Sequence, residues 1–553
     1  MLRLTEIKLP LDHAEKALQE ELLNALDITP AELLSFTVFK RSFDARKAVI
    51  MQVYIVDVVL ASATLEAALL ARHGGNPHIG PTPDMAYHRV GQAPADLPLR
   101  PVVVGFGPCG IFAALLLAQM GFKPIVLERG KSVRQRTLDT WRLWRKNVLN
   151  PESNVQFGEG GAGTFSDGKL YSQIKDPRHL GRKVMNEFVK AGAPADILFE
   201  AHPHIGTFKL VKVVENLRAQ IIALGGEIRF EQRVTDVLIE DDAAGKHIRG
   251  LTVLNQATGA SQDLRADQVV LALGHSARDT FAMLHARGVY VEAKPFSIGF
   301  RVEHPQSLID RARWGRHAGH PALGAAEYKL VHHASNGRSV YSFCMCPGGT
   351  VVAATSEAGR VVTNGMSQYS RNERNANAGI VVGIDPRDYP ENPLAGIDLQ
   401  RRLESHAYVL GGSSYEAPGQ LVGDFVAGRP SKALGAIMPS YQPGVLLGDL
   451  SSALPGYAIA ALREAFPAFG QKIKGFDSHD AVLTGVETRT SSPIKMSRGD
   501  DLQSINVRGL YPAGEGASYA GGILSAGVDG IKVAEALARS LLGEAERMRT
   551  AAA

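Results

Sequence analysis

The stretch that most constrains this chain is Pro101 to Arg129, PVVVGFGPCGIFAALLLAQMGFKPIVLER. Val102 to Val104 form an apolar run too short for a helix and bounded by glycine, which reads as a buried strand. Gly105, Gly107 and Gly110 follow in G-x-G-x-x-G spacing. The first glycine permits the tight turn, the second lets backbone approach a pyrophosphate, and the third lets helix and strand pack closely. A helix expected from about Pro108 to Met120 turns its N-terminal N–H groups and positive dipole end toward that phosphate. The second strand ends at Glu128, where a carboxylate can accept hydrogen bonds from ribose hydroxyls. Strand, turn, helix and strand together imply an α/β fold with a parallel sheet and a dinucleotide site.

Composition narrows the setting. A chain of 553 residues, 45% hydrophobic and 21% charged, has room for several domains and a large core. Its net charge of +4 calls for no polyanionic partner. The N-terminus lacks a signal-peptide h-region, and the longest apolar run, near Val49–Leu60, is broken by Asp57. No membrane association is expected. Cys109, Cys344 and Cys346 cannot form a disulfide framework, so a reducing, cytoplasmic location is expected.

Residues 1–72 read as a small N-terminal α+β module. Strands are expected at Arg3–Leu9, Leu34–Lys40 and Val49–Leu60, and helices at His13–Leu26 and Ser62–Arg72. Lys40, Arg41, Arg46 and Lys47 cluster at one turn, yet residues 1–98 hold 9 Lys and Arg against 12 Asp and Glu. That acidic balance argues against nucleic acid. Residues 73–100 read as a Gly- and Pro-rich linker, 101–290 as the first part of the cofactor domain, 291–479 as an inserted substrate or cap domain, and 480–553 as the cofactor domain's C-terminal part. Within 291–479 the pattern is irregular, with strands expected at Phe296–Val302 and Val340–Cys344 and a helix near Ile397–Val409.

Three further stretches carry the site. A basic helix at Arg129–Val148 is expected to bury Trp141 and Trp144 and to solvate its cations. Asn154–Leu170 holds five glycines in seventeen residues, so its backbone closely approaches a ligand and its N–H groups can form an anion nest. Near the C-terminus, Gly509–Ile523 repeats the logic of a strand, Gly514-Glu515, a glycine loop and a helix from about Ile523 to Leu542.

Together these blocks resemble the FAD-binding members of the glutathione-reductase-type flavoprotein superfamily. FGEGGAGTFSDGKL at 157–170, SFCMCPGG at 342–349, Thr484–Ser497 and LYPAGEG at 510–516 resemble, more narrowly, the bacterial FAD-dependent dehydrogenase family. The resemblance spans nearly the whole chain and implies a FAD/NAD(P)-binding Rossmann-like domain with FAD as cofactor. It implies contacts from Gly105, Gly107, Pro108, Gly110, Glu128 and Arg129 of the first motif, and from Gly160, Gly161, Gly163 and Thr164 of the glycine loop. It adds Val234 and Gly274 on neighbouring strands, and Gly514, Glu515, Gly522 and Ile523 near the C-terminus. Glu515 stands where the superfamily usually has Asp.

The resemblance implies an oxidoreductase in which flavin carries the redox step and protein groups position and tune it. No second strand-coupled G-x-G-x-x-G lies within 291–479, so a substrate, or NAD(P)H docking transiently, would reduce the flavin. Asp167, Lys169, Cys344, Cys346 and His275 are the candidate catalytic residues, and a small organic molecule is the expected substrate. His202, His204, His332 and His333 lack the spacing of a metal site, so no metal is expected. Two other readings stay open, a flavin-dependent RNA-modifying protein and a non-catalytic flavin-bound sensor or scaffold.

Overall fold

The computed structural model describes residues 1–47, 49–243 and 245–552, with side chains described as far as residue 543. At the N-terminus, strands Leu2–Pro10, Leu33–Asp44 and Met51–Leu60 pair antiparallel. The Met51–Leu60 strand alternates buried and half-buried residues, so one face is core. Helix Ala17–Leu26 closes that face with Leu18, Leu22 and Leu26. A fourth strand, Ile79–Pro81, pairs with Leu2–Leu4, which corrects the reading of 73–100 as linker throughout. Its partner lies more than seventy residues back, beyond the reach of any local pattern. Arg41 and Arg46 pair with Glu200 and Asp44, and Arg41's backbone is bonded to Phe199 and Ala201 of the body.

The cofactor unit is a five-stranded parallel sheet in the order Leu510–Pro512, Val269–Leu271, Val102–Val104, Ile125–Leu127, Glu227–Arg229. The first-motif strand sits in the middle, buried on both faces, which is why Val102–Val104 is apolar without alternation. Helix Pro108–Gln119 is buried from Cys109 through Ala118, held between the sheet and the terminal helix Ile523–Ala552. Gly530 permits that contact: a Cβ there would meet the Cys109 carbonyl oxygen at 2.3 Å. A three-stranded antiparallel sheet, Gln232–Asp242, Gly245–Asn255 and Ser261–Arg265, flanks the unit.

The chain leaves this unit at Glu292–Ala293 and returns at Ile494–Lys495, and these two segments pair antiparallel. Between them lies an eight-stranded sheet that includes Phe296–Pro305, Ser339–Ala353, Thr363–Ser367, Asn375–Ile384 and Val482–Glu487. The last of these corrects the boundary at residue 480, since Val482–Glu487 pairs with Phe296–Pro305 in this eight-stranded sheet. The irregularity expected of 291–479 is likewise corrected. Asn375–Ile384 is almost entirely buried, so it shows neither alternation nor a polar face to mark it as a strand.

The basic helix spans Val133–Lys146 and corrects the expectation of wholly solvated cations. Trp144 is buried and donates its indole N–H to the Ala353 carbonyl at 2.9 Å, docking the helix on the cap. Arg136 is also buried, at 0% exposure.

Candidate functional site

Arg136 builds the glycine loop from beneath. Its guanidinium donates to the carbonyls of Asn154 (2.7 Å), Val155 (2.6 Å) and Glu159 (2.7 Å), and more weakly to Gly158 (3.3 Å). A loop rich in glycine has little conformational preference of its own, so a buried cation bound to its carbonyls supplies the missing order. Gly158 has φ +118°, and a Cβ there would lie 2.4 Å from the Arg136 side chain. No sequence pattern reveals that role; one arginine among seven basic residues carries no distinguishing mark.

The loop meets the first motif. A Cβ on Gly161 would fall 2.8 Å from Gly107 Cα, and one on Gly163 would fall 2.9 Å from Ile523. Three glycine segments far apart in sequence therefore converge, and a cavity opens where they meet. Gly105, Gly107, Pro108, Glu128, Arg129, Gly161, Gly163, Val234, Gly274, Gly514, Glu515, Gly522 and Ile523 all line it. Asp167, Lys169, His275 and Cys344 line it too.

Four of the expected residues stand behind the wall instead. Gly110 packs helix on strand: a Cβ would meet the Gly105 carbonyl oxygen at 2.0 Å. Gly160 serves the loop's own turn, with φ +87° and a Cβ site 2.1 Å from Thr164 Oγ1, and Thr164 is buried there. Cys346 is a buried residue within strand Ser339–Ala353, its Sγ 3.4 Å from the Cys344 carbonyl oxygen.

Glu128 is buried and accepts backbone N–H bonds from Phe106 and Gly130 at 2.8 Å and from Gly158 at 3.0 Å. A carboxylate has about four acceptor positions, so one remains for a ligand hydroxyl. Arg129 is held by Glu152 and Asp279 and lies 4.1 Å over the Phe157 ring. Glu515 accepts no hydrogen bond at its carboxylate among the described residues. Burial pushes its pKa up to about 7, only partly offset by Lys294. An unmatched carboxyl in the cavity wall is the chemistry a ligand hydroxyl satisfies.

The catalytic candidates separate by what they are free to do. Asp167 is buried and paired with Arg371 through both carboxylate oxygens. His275 contacts Ser276 Oγ at 3.0 Å; burial, with Arg489 and Arg278 nearby, pulls its pKa down to about 3 and keeps it neutral. Lys169 donates to the Met345 carbonyl, joining glycine loop to cap strand, with Glu327 at 4.0 Å. Cys344 has φ +43° at a bulge in the cap strand, and Arg301 holds its carbonyl at 2.8 Å. The Cys346 thiol hydrogen-bonds to it, and Arg301 and Lys169 add positive charge, which holds the Cys344 thiol below the ordinary thiol range.

Sequence reading missed a second layer. Arg489 lines the cavity and bonds Ser276 (3.1 Å), Ser356 (2.7 Å) and Glu404, which also takes Arg278 at 2.6 Å. Tyr171, Glu327, Tyr328 and Asn364 complete the cap side of the cavity. Only Asn364 of these lies in a strand; Tyr171, Glu327 and Tyr328 sit in irregular segments that the packed fold brings together, which leaves no local signature.

The fold and cavity define a dinucleotide-binding flavoprotein of Rossmann type. Residues 295–490 match a family model described as a FAD-dependent protein, C-terminal domain-like, and 1–59 match a domain of unknown function. FAD is the cofactor. A Clostridium beijerinckii protein, named only as an uncharacterized protein, is 46% identical over 543 residues, covering 97% of this chain and 98% of its own length. The chain belongs to the family of that protein.

Among solved structures, the Escherichia coli quinol fumarate reductase is 15% identical with a TM-score of 0.37, covering 80% of this chain and 70% of its own. A flavoprotein/dehydrogenase from Cytophaga hutchinsonii is 11% identical with a TM-score of 0.36, covering 80% and 79%. The Bacillus halodurans glycerol-3-phosphate dehydrogenase, complexed with FAD, is 10% identical with a TM-score of 0.34, covering 82% and 66%. Among the described residues no helix is long and apolar enough to cross a membrane.

Proposed function

We propose that this protein is a FAD-dependent oxidoreductase acting on a small organic substrate held beneath the cap strand Ser339–Ala353. The observation that carries the reading is one continuous cavity. Gly107 and Glu128 line it on the nucleotide side, and Lys169 and Cys344 line it on the cap side. Bound FAD would supply the two-electron chemistry.

The chain's own residues bind, orient and exclude water. Gly107 and the first turn of the nucleotide helix behind Pro108, which itself has no N–H to offer, would hold the pyrophosphate with backbone N–H groups and the helix dipole. Glu128 would use its remaining acceptor position on a ribose hydroxyl, and Glu515 would accept from the ribityl chain. Gly522 and Ile523 would set the terminal helix's positive end toward the flavin ring. The cap closes the far side, which keeps water from the reacting atoms. We read residues 295–490 as this cap and the parts on either side as one cofactor unit. NAD(P)H docking transiently as electron donor, and a reducing, cytoplasmic setting for the three free cysteines, belong to the same reading.

The test is anaerobic reduction of the purified FAD-loaded protein by NADH, NADPH and a panel of organic reductants. Bleaching of the flavin absorbance by at least one of them supports the reading. A flavin that dithionite reduces and none of these does makes the protein a sensor or scaffold. A protein that holds no FAD ends the proposal.

A further inference from the structure

The cap end of the cavity has an imbalance of partners. Its arginines are satisfied: Arg371 pairs with Asp167 and Glu327, and Arg301 with Glu487. Its carboxylates are engaged in ion pairs, although the buried Glu327 Oε1 has no hydrogen-bond partner in the described structure. Glu327 serves Arg371 at 3.0 Å, Tyr171 at 3.2 Å and His202 at 3.4 Å, leaving Lys169 at 4.0 Å. Lys169 otherwise holds only the Met345 carbonyl, although an ammonium has three donors. Lys329, at the cavity mouth, has no carboxylate partner among the described residues and lies 5.7 Å from the Tyr171 ring centroid. Tyr328 lines the same end at 8% exposure, and its buried hydroxyl has no hydrogen-bond partner in the described structure.

We propose that this end of the cavity seats the carboxylate of an organic acid, with Lys169 and Lys329 as its cations and Tyr328 as a hydroxyl donor. The proposal deepens the oxidoreductase reading and rests on it for the neighbouring flavin. Two lysines and a phenol, with both arginine forks already occupied, suit a singly charged carboxylate better than a phosphate, which favours bidentate guanidinium. Tyr171, Phe343 and Met345 line the space beside the cations, so the acid carries an apolar body. Buried polar groups are normally matched, and a carboxylate here would match the ammonium and the phenol together.

The experiment titrates the FAD-loaded protein with acetate, benzoate, cinnamate and succinate, each against its neutral amide, with inorganic phosphate as a separate arm. Binding is followed by the flavin difference spectrum and independently by calorimetry. At least one acid is expected to bind about tenfold or more tighter than its amide, and to weaken as salt rises from ~50 to ~500 mM. Lys169→Gln should raise that acid's Kd about tenfold and Lys329→Gln a few-fold, with flavin content unchanged in both. Lys329 is exposed, so its variant keeps the proposal testable should Lys169→Gln fail to fold. Equal affinity for acid and amide, tighter binding of phosphate, no binding of any acid, or wild-type affinity in both folded variants would overturn it. If the purified protein lacks FAD, the oxidoreductase reading fails, while calorimetry on the same protein still decides the carboxylate seat.

Discussion

The backbone N–H of Phe106 donates to Glu128 Oε2 at 2.8 Å, so the carboxylate ending the second strand closes the turn that follows the first. Its other oxygen accepts from Gly130 and Gly158, tying the glycine loop to the same point. Glu128 thus shapes the cradle before any ligand arrives.

Glu128→Gln should therefore damage both fold and cofactor binding. An amide presents donors where donors already point, leaving buried N–H groups unsatisfied at ~1–3 kcal/mol each. Urea unfolding of the flavin-free protein should shift by at least that much, and FAD affinity should fall about tenfold or more. Wild-type values for both would remove Glu128 from the cradle.

The glycines of the first motif should separate by experiment. A Cβ on Gly107 meets only Gly161 backbone, its Cα at an ordinary 3.5 Å, whereas on Gly105 it meets the Ala272 carbonyl oxygen at 2.2 Å. Gly107→Val is expected to fold and lose FAD, because its side chain fills the space for the pyrophosphate. Gly105→Val is expected to unfold or aggregate. Flavin content in Gly107→Val equal to wild type would show that the phosphate lies elsewhere.

Arg136→Ala removes a buried cation from four loop carbonyls and leaves those of Asn154, Val155 and Glu159 without a donor, while Gly158 keeps the Gly161 N–H. The expected loss is at least ~3 kcal/mol, since hydrogen bonds to charged groups each contribute ~1.5–3 kcal/mol. Arg136→Lys, with one point charge in place of the fork, should recover only part of it. Chemical denaturation of both variants checks this.

Cys344 should be the reactive thiol. The Cys346 hydrogen bond, with Arg301 and Lys169, lowers its pKa, while burial raises that of Cys109, and the Cys344 partnership with burial raises that of Cys346. Iodoacetamide should label Cys344 alone in the flavin-free protein, at a rate that rises at lower pH than the ~8.5 of an ordinary thiol. Peptide mass spectrometry reads the site, and FAD should slow it.

Glu515 gives the stability curve a slope. Its pKa stands at about 7 against an ordinary 4.5, so the fold favours the neutral acid. That contribution is complete below about 4.5 and is lost as pH rises through about 7. The Tm of the flavin-free protein should fall over this range, and Glu515→Gln should flatten that part of the profile. An unchanged profile in the variant would assign the slope to another group.

Sequence alone determined the parallel α/β unit. Val102–Val104, Gly105, Gly107, Gly110 and Glu128 form a local code, because turn geometry, phosphate approach and helix packing each demand particular residue types at short spacing. The glycine loop and Gly514-Glu515 were legible for the same reason. Tertiary structure alone decided which loop each glycine touches, that Gly110 and Gly160 support the wall while Gly107 and Gly161 form it, and that Arg136 holds the loop from below. It also decided that Asp167 is spent on Arg371, that Lys169 stands 4.0 Å from Glu327 and that the buried Tyr328 hydroxyl has no partner in the described structure. Charge partners and burial arise from residues far apart in the chain, here 167 with 371 and 169 with 345, and only the packed cap brings them within range of one another.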